Sequence, residues 1–577
     1  MATLHPKTSR GHKYWYIVES RRVNGKPRPV VLAYLGKAED LLARLQGLRE
    51  RLKVKSYSHG AVAALLDVAH KLEVPSVINK YVQSPRPYMP EKPIRNNLTV
   101  GMTLLLGALG RVCMPTSKRG WWNWARTTSC EYMLRCSLAK IDSQHFWDLM
   151  DALPVESIEP IEAELLLKVK QVYLIESDTL FFDTTNFFTY IATTNHRCTV
   201  AQRGNNKQKR NDLRQVGLAM VVTRKGFIPI FHQTYQGNRH DSRVFAGVLE
   251  KIKKRMEALG LELEKHTLVF DRGNNSKQNL KLVADAELHY VGALTPYHHA
   301  ELLEKAAGKF KPLKINGESL DVYRGKHSVW GEERTVLVFV SERLKDGQLR
   351  GIYAELKKKL GQLEQIRKRL LRGKKKQDRE ALEDKISKMV KGQFLSGVIE
   401  WELEDGPDGR LELRFCINEA KLVKMEDDLG LRILMTDRHR WETAEIIEAY
   451  HGQSTVEQAF KNIKNPYHLA LKPGFHWTDQ KIIVHYFMCV LGYLLASIVW
   501  REARDKTGFN GTLDSLLDTL DHIRLAALIE HPKGRGRPKV NYQIEQMSKE
   551  EAALVDALGI AELHVQRLKF KGVGVYK

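Results

Sequence analysis

"TLFFDTTN", residues 179–186, and "TLVFDRGN", residues 267–274, are two apolar runs that each break on an aspartate, Asp183 and Asp271. Short apolar runs bounded by polar turn formers read as buried strands. A lone aspartate at such a place is ordinarily a turn former or a helix cap. Two of them, at the ends of strands that neighbour in one sheet, bring anions together. That is costly unless a proton or a cation intervenes.

The sequence on either side supports a sheet. Residues 165–190 pass from a helical pattern into the first strand, and "DLRQVGLAMVVTRKGFIPIFHQTYQGN", 212–238, reads as two more strands joined at Arg224-Lys225-Gly226. An amphipathic helix follows at 241–260, then the strand ending on Asp271, another helix, and the short strand "ELHYVGALT". Strands followed by strand–helix alternation predict a mixed α/β sheet with helices packed on it. Residues 316–430 interrupt the alternation with strand-like segments around a charged helical pair. In that pair Leu349, Ile352, Leu356, Leu360, Leu363, Ile366 and Leu370 recur every three or four positions, and Leu382, Ile386 and Met389 continue beyond a basic turn at Gly373. This predicts a β-rich insertion carrying a helical hairpin. "LRILMTD", 431–437, returns to strand.

"EAYHGQSTVEQAFKNIKN", 448–465, then sets Tyr450, Glu457 and Lys464 at intervals of seven. A helix turns about 100° per residue, so the three share one stripe, with Gln453 to its side. Ser454 and Glu457 also fit a capping box, in which the glutamate only closes a helix start. Both readings stay open on this stretch alone. A third carboxylate beside Asp183 and Asp271 would complete a hard-oxygen site for Mg²⁺, with Mn²⁺ substituting. Two such ions can activate a water and stabilise the leaving oxygen in an in-line phosphodiester displacement. Asp178 is a rival first ligand, set aside because it lies outside the apolar run.

The chain has 577 residues, enough for several domains. Lys and Arg number 92 against 68 Asp and Glu, a formal charge of +24 that favours a polyanionic partner, nucleic acid first. Six scattered cysteines form no C-x-x-C pair, which suits a reducing compartment and gives no zinc knuckle or disulfide framework. The N-terminal residues have no apolar signal-peptide core. Residues 482–500 are long and apolar enough to span a membrane. His485, Tyr486, Gly492, Tyr493 and Ser497 within that stretch, and the lack of a second span, predict a buried helix instead. The expected location is the cytoplasm, at the nucleoid.

Three further motifs bear on DNA. "KYWYIVESRRVNGKPRPVVLAYL", 13–35, predicts a β-hairpin around Asn24-Gly25. Trp121, Trp122 and Trp124 sit among Lys118, Arg119 and Arg126, either as core anchors or as a clamp on nucleic acid. "GRGRPK", 534–539, resembles an AT-hook, with Arg535 and Arg537 placed to enter a narrow minor groove.

"FFDTTN", "QVGLAMVVTRKGFIPI", "YQGNRHDS", "VFDRGNNS" and "MTDRHRWETAEIIEAYHGQSTVEQAFKNIKN" together resemble bacterial insertion-sequence DDE transposases, and within them the group with a Tyr-x2-Arg-x3-Glu-x6-Lys (YREK) signature. The downstream "LALKPGFHWTDQKIIVHYF" is similar to that group as well. The resemblance implies an RNase H-like mixed sheet with flanking helices, interrupted by the β-rich insertion, and helical N- and C-terminal regions. It implies Asp183, Asp271 and Glu457 as the catalytic, metal-binding triad, with Tyr450 and Lys464 as signature residues that handle DNA. Gln453 stands where the signature has arginine; it keeps hydrogen bonding but loses the charged fork that grips phosphate. The expected activity is cleavage at terminal inverted repeats and strand transfer of the 3′-hydroxyl into target DNA, by a homodimer in a synaptic complex. Trp330 and Trp401 are candidates for stacking on a displaced base. A non-catalytic DNA-binding descendant, or a metal-dependent nuclease without strand transfer, are the alternatives. The expected domains are a DNA-binding region at 1–150, the core at 165–315 and 431–505, the insertion at 316–430, and a C-terminal region at 506–577.

Overall fold

The computed structural model describes residues 2–9, 12–23, 26–82, 98–174, 178–206, 208–315, 317–372, 378–392, 394–406, 410–427, 429–472, 474–531, 536–566 and 568–570. The chain forms two compact units, one of residues 1–175, 188–201 and 459–577, the other of residues 176–187 and 202–458.

The second unit is built on a nine-stranded sheet. Numbered in chain order, its strands are β1 (Thr179–Thr189), β2 (Arg214–Thr223), β3 (Pro229–Gln236), β4 (Thr267–Phe270), β5 (His289–Leu294), β6 (Lys311–Ile315), β7 (Glu318–Val329), β8 (Glu332–Val340) and β9 (Leu431–Thr436). They lie in the order β6-β7-β8-β9-β5-β4-β1-β2-β3. β2 and β3 are antiparallel, whereas β1 with β4 and β4 with β5 are parallel. The part β3-β2-β1-β4-β5 is the strand order of an RNase H-like core. Parallel neighbours need a crossover, and the helices Asp241–Ala258 and Lys277–Asp285 lie between β3 and β4 and between β4 and β5. The central strands read as unbroken apolar runs because both faces are covered; β2 is buried from Gln215 through Thr223.

The structure divides the expected insertion. β7 and β8 hydrogen-bond into the large sheet, β8 pairing antiparallel with β9 from Thr335↔Thr436 to Val340↔Leu431. The excursion proper is the helix Glu342–Leu371, the helix Arg379–Val390, a two-stranded sheet of Ile399–Asp405 and Leu411–Ile417, and the helix Glu419–Asp427. It has its own core, in which Ile352, Leu356, Leu363, Ile366 and Leu370 meet Leu382 and Ile386. Buried Lys359 sends its ammonium to the carbonyls of Met389 (2.8 Å) and Lys391 (2.6 Å), at the C-terminal end of the second helix, where a cation is favoured. The basic turn at 373–377 lies outside the described residues.

In the first unit, residues 2–36 form a three-stranded antiparallel sheet of Ala2–Ser9, His12–Val23 and Lys26–Gly36. The expected hairpin is its second half, with Val23 paired to Lys26; the turn residues 24 and 25 lie outside the described residues. The apolar helix Asp479–Thr507 is 94% buried over its most apolar window, packed inside the protein. It runs against the helix Val100–Cys113, where Gly107 leaves room for Met488. Trp121 and Trp124 are core anchors here: they are 3% and 5% exposed, and the Trp121 indole donates to the Leu106 carbonyl at 3.0 Å. The C-terminal region is less helical than expected. Arg524–Glu530 pairs antiparallel with both Lys539–Ile544 and Leu52–Ser58 in a small sheet.

Candidate active site

The paired register of β1 and β4 runs Thr179↔Thr267, Leu180↔Leu268, Phe181↔Val269 and Phe182↔Phe270. The next residues are Asp183 and Asp271. Adjacent strands lie about 4.8 Å apart, so the two aspartates stand side by side where the pairing ends. Asp271 follows β4 directly. Asp183 does not end its strand as expected, since β1 continues to Thr189 through half-buried polar residues.

Alternation along a strand decides which way the acids face. Phe182 and Phe270 both pack on Phe245 of the helix Asp241–Ala258, at ring separations of 5.0 and 4.7 Å. Asp183 therefore shares the opposite face with Phe181. On that face sits Gly452, so close that a Cβ there would lie 2.5 Å from the Phe181 ring. The segment leading to Glu457 is thus packed over the face that carries the aspartates.

That segment is not one helix. The helices Thr443–His451 and Ser454–Lys464 are joined by a tight link in which Gln453 N–H donates to Tyr450 O and Thr455 N–H to Gly452 O, at 3.0 and 2.8 Å. The break takes Tyr450 off the expected stripe. Tyr450 is 7% exposed, its hydroxyl 3.5 Å from an Arg432 guanidinium nitrogen and its ring 5.7 Å from that guanidinium. Burial, above all, raises its pKa. Gln453 is half-buried in the link, and Glu457 and Lys464 are exposed. Lys464 belongs to the other unit.

Asp183 Oδ1 accepts from the Thr184 N–H and Asp271 Oδ1 from the Arg272 N–H, each at 2.7 Å. Glu457's carboxylate has no hydrogen-bond or ion-pair partner among the described residues. The capping-box role would have tied it to the Ser454 backbone, as Glu551 is tied to Ser548 and Glu445 to Glu442 in boxes that do form. Two adjacent carboxylates are a fitting donor pair for a hard divalent cation, which would relieve their repulsion. Among the described residues no group of three His, Cys, Asp or Glu side chains is gathered closely enough to hold a metal.

The remaining expectations fall as follows. Asp178 is exposed and directly precedes β1, whereas Asp183 lies within the strand. Trp330 lies in the β7–β8 turn at φ 54°, its ring 5.8 Å from His299, and Trp401 packs against the core of the excursion. Arg537 is exposed, while Arg535 lies outside the described residues. Sequence reasoning missed Arg432, which holds Tyr450, and Gly452, whose missing side chain admits Phe181. An isolated glycine inside a helical pattern was the available signal.

The family model for the transposase DDE domain matches residues 189–473, and that for the N-terminal domain of IS1634 family transposases matches residues 4–58. The first match includes Asp271 and Glu457 and begins just after Asp183. No curated protein matches the chain significantly. Among solved structures, a chain of the piggyBac transposase synaptic complex with hairpin DNA, determined by cryo-EM, is 9% identical, with a TM-score of 0.37 over 89% of this chain and 83% of that one. By its two family matches, and with the strand order of its sheet, the chain belongs to the bacterial insertion-sequence DDE transposases, enzymes that act on DNA with divalent metal ions.

Proposed function

We propose that this DNA transposase cuts at the terminal inverted repeats of its element and joins the freed 3′-hydroxyl to target DNA, with Asp183, Asp271 and Glu457 as its triad. The reading rests on the aspartate pair, set side by side by the β1–β4 register on the face packed by the Gly452 link. Mg²⁺, or Mn²⁺ in its place, would supply activation of the attacking oxygen and charge stabilisation at the leaving one. The protein's part is to hold two carboxylates in register and to bring a third, Glu457, which no protein group engages among the described residues.

In the first step water attacks the phosphorus, its P–O bond to the 3′ oxygen breaks, and that oxygen leaves as the 3′-hydroxyl. In the second that hydroxyl attacks a target phosphodiester and displaces a target 3′-hydroxyl, so no covalent enzyme intermediate is needed. Gln453 and Lys464 would position the backbone, Gln453 through neutral hydrogen bonds only. Tyr450 would contribute indirectly, through Arg432. Arg535 and Arg537 would add minor-groove contacts. A homodimer would pair two ends, in the cytoplasm at the nucleoid.

The deciding experiment compares parent and Glu457→Gln on duplex carrying the element's end. The parent should cut with Mg²⁺, stop in excess EDTA and yield strand-transfer products. Glu457→Gln should melt normally, bind the end and cut nothing measurable. Near-parental cutting by the variant would return Glu457 to a structural role, and cleavage without joining would make the enzyme a nuclease.

A further inference from the structure

We infer that the cleft lined mainly by residues 188–197 and 464–478 is a binding site for unpaired nucleotides of a DNA strand. It lies within the first unit, rests on the reading of the chain as a DNA transposase, and adds a site to it. The cleft measures about 1200 Å³, above the roughly 300–1,000 Å³ of ordinary small-molecule sites. Its walls carry Trp147, Phe188, Tyr190, Phe475 and Trp477. Three of these rings face solvent: Tyr190 is 81% exposed, Phe475 66% and Trp477 58%. So much bare aromatic surface in a concave site marks a binding surface, and its chemistry suits an occupant with flat faces of its own.

Charge narrows the occupant. Arg197, Lys464 and Lys472 share the lining, and among the described residues no Asp or Glu does. Lys472 Nζ stands 5.6 Å from the centre of the Phe188 ring. Stacking rings beside cations suit bases joined by phosphates, whereas a paired duplex hides its base faces. At the wall, His476 is only 5% exposed and its Nε2 has no hydrogen-bond partner among the described residues. It stacks on His485 at 4.4 Å. Burial, with Lys118, Arg111 and Lys481 nearby, holds His476 well below its ordinary pKa, so its ring adds no charge to the wall.

The test uses the full chain in EDTA, with fluorescein-labelled oligo(dT) of about ten nucleotides and a blunt duplex of equal length as probes. Phe475→Ala with Trp477→Ala should weaken oligo(dT) binding about tenfold or more and duplex binding less than about twofold. Phe475→Tyr with Trp477→Phe, which keeps flat rings, should restore most of the loss. Equal losses on both probes, no loss on oligo(dT), or displacement of oligo(dT) by polyglutamate of equal charge would each overturn the site. Cleavage of end-bearing duplex in Mg²⁺ by the same proteins reports separately on transposition. If the parent cuts nothing yet shows the ring-dependent oligo(dT) preference, the cleft stands and the transposition reading falls.

Discussion

Two regions of this molecule crowd like charges, and they resolve the crowding in opposite ways. At the β1–β4 ends Asp183 and Asp271 stand together, half-buried and exposed, each accepting from the backbone N–H of the residue that follows. In the first unit Arg111, Lys118 and His476 gather around His485 of the helix Asp479–Thr507, and Lys118 Nζ lies 3.4 Å from His485 Nδ1. There the protons give way. Burial, reinforced by Arg111, brings the Lys118 ammonium down to about 7, and burial with Lys118 and His476 holds His485 well below its usual range. Arg111 keeps its charge by donating to the carbonyls of Ala470 and Lys472 at 3.3 and 3.1 Å. An enclosed cluster discharges itself, whereas an open pair leaves room for a counter-ion from solution.

Breaking the open pair should have the largest effect. Asp271→Asn removes one of two like charges, so in EDTA its melting temperature should equal or exceed the parent's. Its Mg²⁺-dependent cleavage should fall about a thousandfold or more. Calorimetry and cleavage on the same preparations check both; a large loss of stability with retained cleavage would mean the pair is structural.

Next comes the packing of the Gly452 link, which leads to Glu457, against Phe181. Gly452→Val forces a side chain into the Phe181 ring. The expected costs are about 1–3 kcal/mol of stability and, from misplacement by an ångström or so, about a hundredfold in cleavage. Denaturant melts and single-turnover rates would separate the two.

The enclosed cluster should show itself in pH dependence. Lys118 binds its proton less readily folded, at about 7 against an ordinary lysine value of 10.5. Between those values the unfolded chain holds more protons, so this group makes stability rise with pH from about 7 toward 10.5 and lowers it below. Lys118→Met should flatten that rise and, near neutral pH, stabilise by an amount on the order of 2 kcal/mol. Melting curves at several pH values test it; an unchanged slope would place the titration elsewhere.

The smallest effect is expected from the basic segment 534–539, in which Arg537 is exposed. Arg535→Ala with Arg537→Ala should weaken binding to A/T-rich duplex a few-fold more than to G/C-rich duplex. Equal losses would leave a general basic loop.

What the sequence revealed follows from the range of the forces involved. Asp183 and Asp271 were legible because buried strands must be apolar and each run stops on an acid. The continuation of β1 to Thr189 was hidden, since Asp183-Thr184-Thr185-Asn186 has the composition of a turn while tertiary contacts keep it extended. The excursion's helices were legible from their periodicity, but the sharing of β7 and β8 with the large sheet depends on partners far along the chain. The break at Gly452 was masked because the apolar period carries across it, leaving the isolated glycine as its signal. Arg524–Glu530 looked helical from its alanines and leucines, and only pairing with Leu52–Ser58 makes it a strand. The cleft was unreadable because no short window contains its aromatic residues.

That last sheet also fixes an order of events on the ribosome. Ser56 and Arg524, bonded side chain to side chain at 2.6 Å, are 468 residues apart. At about 5–20 residues per second, the strand Leu52–Ser58 waits roughly half a minute or more for its partner to be synthesised. Residues 202–458, by contrast, include most of the second unit and are made within that interval. A nascent chain can therefore build most of its catalytic sheet while its first strands still lack their C-terminal neighbour. Polypeptides interrupted before residue 524 would carry the acids yet expose the Leu52–Ser58 strand edge, a marker by which quality control could separate them from finished enzyme.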